Sequence, residues 1–167
     1  QLQRGGLSSL VTQATALRVG DAVSTSAVSK AVVTLGNGGS VRLAPASRLR
    51  VLALNSQTGS GRLDVRLELA EGALWVEDAG GVHCALQAGS TLVVPKGTAY
   101  DASLRDGQAS VNVWDGKVSV ESLSAGFSPS EVLAGQQALV GGGTAPRLDR
   151  INLRSALSNA FVLWNLY

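Results

Sequence analysis

In Val111-Asn112-Val113-Trp114-Asp115-Gly116-Lys117-Val118-Ser119-Val120, valines alternate with polar residues on both sides of an Asp-Gly dipeptide. Alternation at period two is the signature of a half-buried strand, and Asp-Gly suits a two-residue turn whose central residues need positive φ. The pattern predicts a hairpin that pairs Val113 with Val118 and Val111 with Val120, all four valines on one face. The device recurs. Around Asp106-Gly107, a two-residue loop pairs Leu104 with Ala109, Ala102 with Val111 and Tyr100 with Val113, which predicts a three-stranded meander from Tyr100 to about Ser122. Around Glu71-Gly72 the same logic pairs Leu69 with Leu74 and Leu67 with Val76.

Between Ala31 and Leu43 a two-residue loop would set Val33 opposite Arg42. A three-residue loop, Asn37 to Gly39, instead sets Leu35 opposite Val41 and Val33 opposite Leu43, so a longer turn with a glycine bulge is expected there. Further strands are predicted over Arg48 to Leu54, Arg62 to Leu69, His83 to Leu86 and Thr91 to Val94, with the polar run Asn55 to Gly61 as an exposed hairpin tip. The fold class is therefore all-β: short antiparallel strands in a sandwich or a short β-helix-like stack, with a C-terminal helical or extended appendage. The organisation expected is a β domain over residues 1–140, a glycine-rich linker over 141–147 and the appendage over 148–167. In that appendage Leu153, Leu157, Ala160, Phe161 and Trp164 recur at helical spacing, which predicts an amphipathic helix from about Leu148 to Trp164.

At 167 residues the chain is long enough to bury a core without staples. Fourteen basic and twelve acidic side chains leave a net charge of +2, too small a field for nucleic acid or anionic lipid. A single cysteine, Cys84, excludes an intrachain disulfide and a thiolate zinc cluster. No run approaches the ~20 apolar residues of a membrane span. The chain contains no methionine, and it is read as the remainder of an exported or anchored precursor, reaching a membrane only through an anchor outside these residues.

The order of features resembles the FecR-like domain of bacterial envelope regulators. The residues that carry the likeness are Leu17-Arg18-Val19-Gly20-Asp21 with Thr25, Val32 to Leu35, Ser40-Val41-Arg42-Leu43 with Pro45 and Ser47, and Leu69-Ala70-Glu71-Gly72. They continue through Val94-Pro95-Lys96-Gly97-Thr98-Ala99-Tyr100-Asp101, the Val111 to Val120 stretch and Leu133-Ala134-Gly135-Gln136. Asn37-Gly38-Gly39 stands where the family often has Asp-Gly-Ser, and Tyr100 where Phe is common. The resemblance implies an extracytoplasmic all-β domain, in the periplasm or on the cell surface, that binds other proteins and has no chemistry of its own.

The residues agree with a non-enzymatic reading. His83, the only histidine, adjoins Cys84, and neighbours on a strand point to opposite faces, so they form no nucleophile and base pair. Glu77 and Asp78 are adjacent too, and a general acid/base pair needs facing carboxylates. Gly36-Asn37-Gly38-Gly39 lacks the last glycine of a dinucleotide fingerprint, and no Gly-Lys-Ser or Gly-Lys-Thr occurs. No catalytic, cofactor or metal site is expected. The alternation that buries Val111 and Val113 sends Trp114 to the other face, and likewise Trp75 between Leu74 and Val76. Trp75 and Trp114, with Phe161, Trp164 and Tyr167 of the apolar C-terminal run, are the candidate partner-binding residues, because aromatic anchors dominate interface energetics. The two tryptophans are read first as a second core layer, beneath a second sheet or the C-terminal segment, and otherwise as a stacking platform for a glycan or an anchor for a partner. The function expected is a non-catalytic protein-binding or structural module of a bacterial cell-envelope assembly, a subunit in contact with other envelope proteins. Alternatives are the periplasmic sensor domain of a transmembrane anti-sigma regulator and an envelope glycan-binding module using Trp75 and Trp114.

Overall fold

A computed structural model describes residues 1–56, 63–78, 82–124 and 126–166. Two sheets face one another over a common core. The first holds, in spatial order, β2 (Leu7–Ser9), β1 (Leu2–Arg4), β3 (Ala22–Ser24), β6 (Arg48–Ser56), the first part of β7 (Leu63–Glu77), β8 (Val82–Ala88), β9 (Thr91–Pro95), β12 (Lys117–Ser122) and β13 (Ser130–Leu133). The second runs β4 (Ala31–Thr34), β5 (Ser40–Leu43), the end of β7, β10 (Ala99–Arg105), β11 (Gln108–Asp115), β14 (Gln136–Val140) and β15 (Arg147–Arg150). Among the described residues every pairing is antiparallel except β7 with β8. Two short helices, α1 (Leu153–Leu157) and α2 (Ala160–Leu166), follow. Among the described residues no helix is long and apolar enough to cross a membrane.

The all-β expectation holds, and three of its glycine turns resolve differently. At Asp106-Gly107 both residues have positive φ, +50° and +75°, and β10 pairs with β11 in the predicted register: Leu104 with Ala109, Ala102 with Val111, Tyr100 with Val113. At Asp115-Gly116 only the glycine is positive, +68°, and the predicted hairpin does not form. The chain turns a corner instead: β11 pairs with β10 and β14, while β12 crosses to the first sheet and pairs with β9 and β13. Val111, Val113, Val118 and Val120 are all fully buried in one cluster, and they reach it from the two facing sheets. A hairpin would have kept them side by side on one sheet. The predicted meander is thus two strands and a corner.

Glu71-Gly72 is likewise no hairpin. β7 runs through it, pairing Leu69 with Leu49 in the first sheet and Leu74 with Leu43 and Ala102 in the second. The cause lies far away in sequence. The Ser47 hydroxyl accepts from the Ala73 amide and donates to the Ala73 carbonyl, both at 3.0 Å, so the Ala46-Ser47 turn sits directly against the Gly72 backbone. Between β4 and β5 the loop is longer than expected: Thr34 pairs with Ser40 and Val33 with Val41, and a single 3-10 turn occupies Gly36–Gly38. The two-residue shift keeps each side chain on its expected face. The predicted strands over Arg48 to Leu54, Arg62 to Leu69, His83 to Leu86 and Thr91 to Val94 correspond to β6 to β9, with Arg62 itself outside the described residues. Asn55 and Ser56 extend β6, and the remainder of the expected hairpin tip lies outside the described residues.

The helix expected from Leu148 is replaced by β15 and two separate helices. Its register explains the difference: Ala138 pairs with Leu148 and Gln137 with Asp149, so this segment completes the sheet edge. Asn152 then caps α1 by accepting from the Ser155 amide. Asn159 accepts from the Phe161 amide and restarts the helix after Ser158. Side chains that bond the backbone locally in this way interrupt a helix.

Candidate functional site

The outer face of the second sheet carries the candidate aromatics. Trp75 on β7 and Trp114 on β11 stack with ring centroids 6.0 Å apart. α2 lies across them: Phe161 and Val162 are buried against Ala44 and Trp75, with Ala73, Ala99 and Trp114 packed alongside. Trp75 is 3% exposed. The rings therefore form a second core layer under the C-terminal segment, and the open stacking platform that a glycan would need is occupied by α2. Trp164 remains 40% exposed. Its ring is 5.9 Å from that of Phe161, with the Lys30 ammonium 4.3 Å and the Arg42 guanidinium 5.7 Å from its centroid. Arg42 also donates to the Asn165 side-chain oxygen at 3.2 Å and to Glu77 at 3.1 Å, pinning α2 to β5 and β7. Tyr167 lies outside the described residues.

Removal of residues 159–167 uncovers this layer. Losing the burial of Phe161 and Val162 is expected to cost about 2–4 kcal/mol, read as a lower urea midpoint with red-shifted tryptophan emission. An unchanged midpoint with an altered sedimentation coefficient would mean that α2 serves another chain instead.

Beneath the aromatics, Asp101 of β10 is buried. Its carboxylate accepts from the Trp114 indole N–H at 2.6 Å and from the Asn112 amide at 2.9 Å. Burial pushes the Asp101 carboxyl up to about 6, against these two hydrogen bonds, which pull it back down. The unfolded chain titrates near the ordinary value, so below about pH 4 both states are protonated and the contribution of Asp101 to stability is fully present. It is lost as pH rises through about 6, when the folded protein must hold a desolvated charge. The loss from this group is on the order of 3 kcal/mol. Asp101→Asn should remove that part of the pH dependence, since an amide still accepts from Trp114 and can donate to the Asn112 side-chain oxygen, which has no partner. Urea midpoints at about pH 4 and pH 7 check this, and a variant that keeps the full difference would refute it.

Lys30, Arg42, Asp101 and Asn112 complete this face and were not among the sequence candidates. The predicted β10–β11 register nonetheless contained the signal, for pairing Ala102 with Val111 sets Asp101 opposite Asn112. Elsewhere Cys84 is fully buried on β8 and His83 points to the other face. Burial raises the Cys84 thiol to about 12, which leaves it protonated and unreactive at neutral pH. Glu77 is paired with Arg42. Among the described residues no cluster of three or more His, Cys, Asp or Glu side chains could hold a metal ion. What this face can do is pack, hydrogen-bond and hold one carboxyl out of water.

The family model described as FecR protein matches residues 21–119. Among solved structures, the 1.65 Å crystal structure of a proposed anti-sigma factor from Parabacteroides distasonis ATCC 8503 is similar, with a TM-score of 0.63 and 18% identity over 83% of this chain and 65% of that one. A second proposed anti-sigma factor from the same organism, at 2.50 Å, gives 0.59 and 21% over 78% of this chain and 59% of the other. At those identities the likeness is one of fold, and this chain spans 65% and 59% of the two neighbours' lengths. No curated protein matches the chain.

Proposed function

Because the chain belongs to the FecR family, we propose that it is the non-catalytic sensor domain of an envelope regulator, acting outside the cytoplasm by docking other envelope proteins and so controlling an anti-sigma activity. The family match over residues 21–119 carries this reading. The two neighbours of the same fold, both proposed anti-sigma factors, support it. The domain's one thiol is buried and protonated, and its outer aromatic layer is closed by α2.

A second reading, a structural subunit of an envelope assembly, draws on Leu153, Leu157, Trp164 and Leu166, which are 57%, 43%, 40% and 38% exposed along the two helices. In-frame deletion of codons 21–119 from the native gene separates the two. A sensor domain predicts a changed transcript level for a discrete set of promoters, whereas a subunit predicts an unchanged transcript profile and the loss of a co-purifying complex. Cells altered in neither respect would contradict both.

A further inference from the structure

An apolar cleft of about 930 Å3 runs beside β4. It is lined by Val23, Val51, Val65 and Leu67 from the first sheet, by the whole of β4 and by residues 10, 11 and 13–17. This is the size of a ligand site, and its position gives it a second property. Among the described residues β4 pairs on one side only, with β5. The Leu35 amide donates to the Gly39 carbonyl at 2.8 Å, and antiparallel pairs alternate between exchanging and not exchanging hydrogen bonds. Val33 with Val41 and Ala31 with Leu43 are therefore the bonded pairs, and Val32 and Thr34 turn their N–H and C=O groups to the open side.

That edge is unguarded. Proteins normally blunt such edges with proline, bulges or charges, and within Ala31–Thr34 there are none. The Val32 side chain is 56% exposed and nearby Val28 92%. The segment 10–17 that faces the edge makes no backbone hydrogen bond to β4. It is tethered at its far end, where the Arg4 guanidinium donates to the Ala16 carbonyl at 2.9 Å, and Leu10 stands 83% exposed. Among the described lining residues the only ionised side chain is Lys30, and no carboxylate is present.

We propose that this cleft takes an extended peptide segment of a partner protein as an added strand on β4, with alternate apolar side chains entering the cleft and an acidic residue at the Lys30 end. Unpaired backbone donors and acceptors select an extended chain, the apolar lining selects alternate side chains, and the one charged side chain, Lys30, selects the charge. The inference rests on the protein-docking reading for its partner, and the two can fail separately.

The test uses the full chain and a synthetic octapeptide of alternating valine and threonine ending in aspartate. Bound peptide should slow amide exchange at Val32 and Thr34 at least tenfold. Val32→Pro removes an open-side N–H while sparing the bonds to β5, and should weaken binding at least tenfold with an unchanged melting temperature. Lys30→Glu should weaken the aspartate-ended peptide and favour a lysine-ended one. Binding that leaves the Val32 and Thr34 amides unprotected in the unaltered chain overturns the proposal. So does decanoate displacing the peptide without protecting those amides, or a concentration-dependent dimer that protects them in the absence of peptide. Failure here together with a promoter response to the codon deletion sinks the edge alone and leaves the docking role standing.

Discussion

Gly72→Ala is expected to remove about 2–5 kcal/mol of stability, enough to unfold much of a domain whose total is on the order of 5–15 kcal/mol. Two effects add. Gly72 has φ +85°, a conformation that costs an L-residue about 1–2 kcal/mol. A Cβ there would also stand 2.6 Å from the Ala46 carbonyl oxygen and 2.7 Å from the Ser47 Cα, backbone atoms that cannot swing aside, and overpacking of this kind costs about 1–3 kcal/mol. Gly107 isolates the first effect. Its φ is +75°, and nothing lies within 4 Å of its added Cβ, so Gly107→Ala should lose only about 1–2 kcal/mol. Urea midpoints of the two variants measure the difference, and equal losses would show that the contact with Ser47 carries no weight.

Trp75→Ala is expected to cost about 3–5 kcal/mol, the range for truncating a large buried aromatic. The ring is 3% exposed and serves two neighbours, the stacked Trp114 and the apolar side of α2. Truncation should therefore also release the C-terminal helix, seen as faster proteolysis after residue 150 under conditions where the sheets persist. Trp164→Ala is the comparison: a ring 40% exposed, held by its tilted contact with Phe161 and by Lys30, should cost about 1 kcal/mol or less. If the two substitutions proved equally mild, the aromatic layer would not be part of the core.

How far the sequence carried the fold depends on where each glycine turn takes its instructions. Asp106-Gly107 is governed locally: both residues reach positive φ and the flanking alternation does the rest, so the register is legible to the residue. Glu71-Gly72 and Asp115-Gly116 look the same on paper. Their outcomes are set by distant backbone, the Ala46-Ser47 turn in one case and Gly97 in the other, whose carbonyl oxygen would clash with a Cβ on Gly116. Periodicity cannot carry that information. It marks which side chains go inside, and the four valines of Val111 to Val120 are inside, while their neighbours across the ladder are chosen by the tertiary arrangement.

The aromatic face was half legible for the same reason. Trp75, Trp114, Phe161 and Trp164 stand out by type and alternation, but nothing in their spacing says that Phe161 covers Trp75, because that contact spans a linker, a strand and a helix break. Asp101 was hidden differently. A carboxylate beside a valine-rich hairpin reads as a solvated residue until the indole of Trp114 and the amide of Asn112 are seen to enclose it.

β7 has a consequence for anyone who would divide this protein. Its early residues bond to β6 and β8, and its later ones to β5 and β10, so one fifteen-residue strand is the interior member of both layers. Neither layer can be excised as an independent fragment, because each would lose its middle. A circular permutation opened within 63–77 should yield insoluble protein, whereas one opened among the exposed residues near Gly142 leaves every interior rung intact.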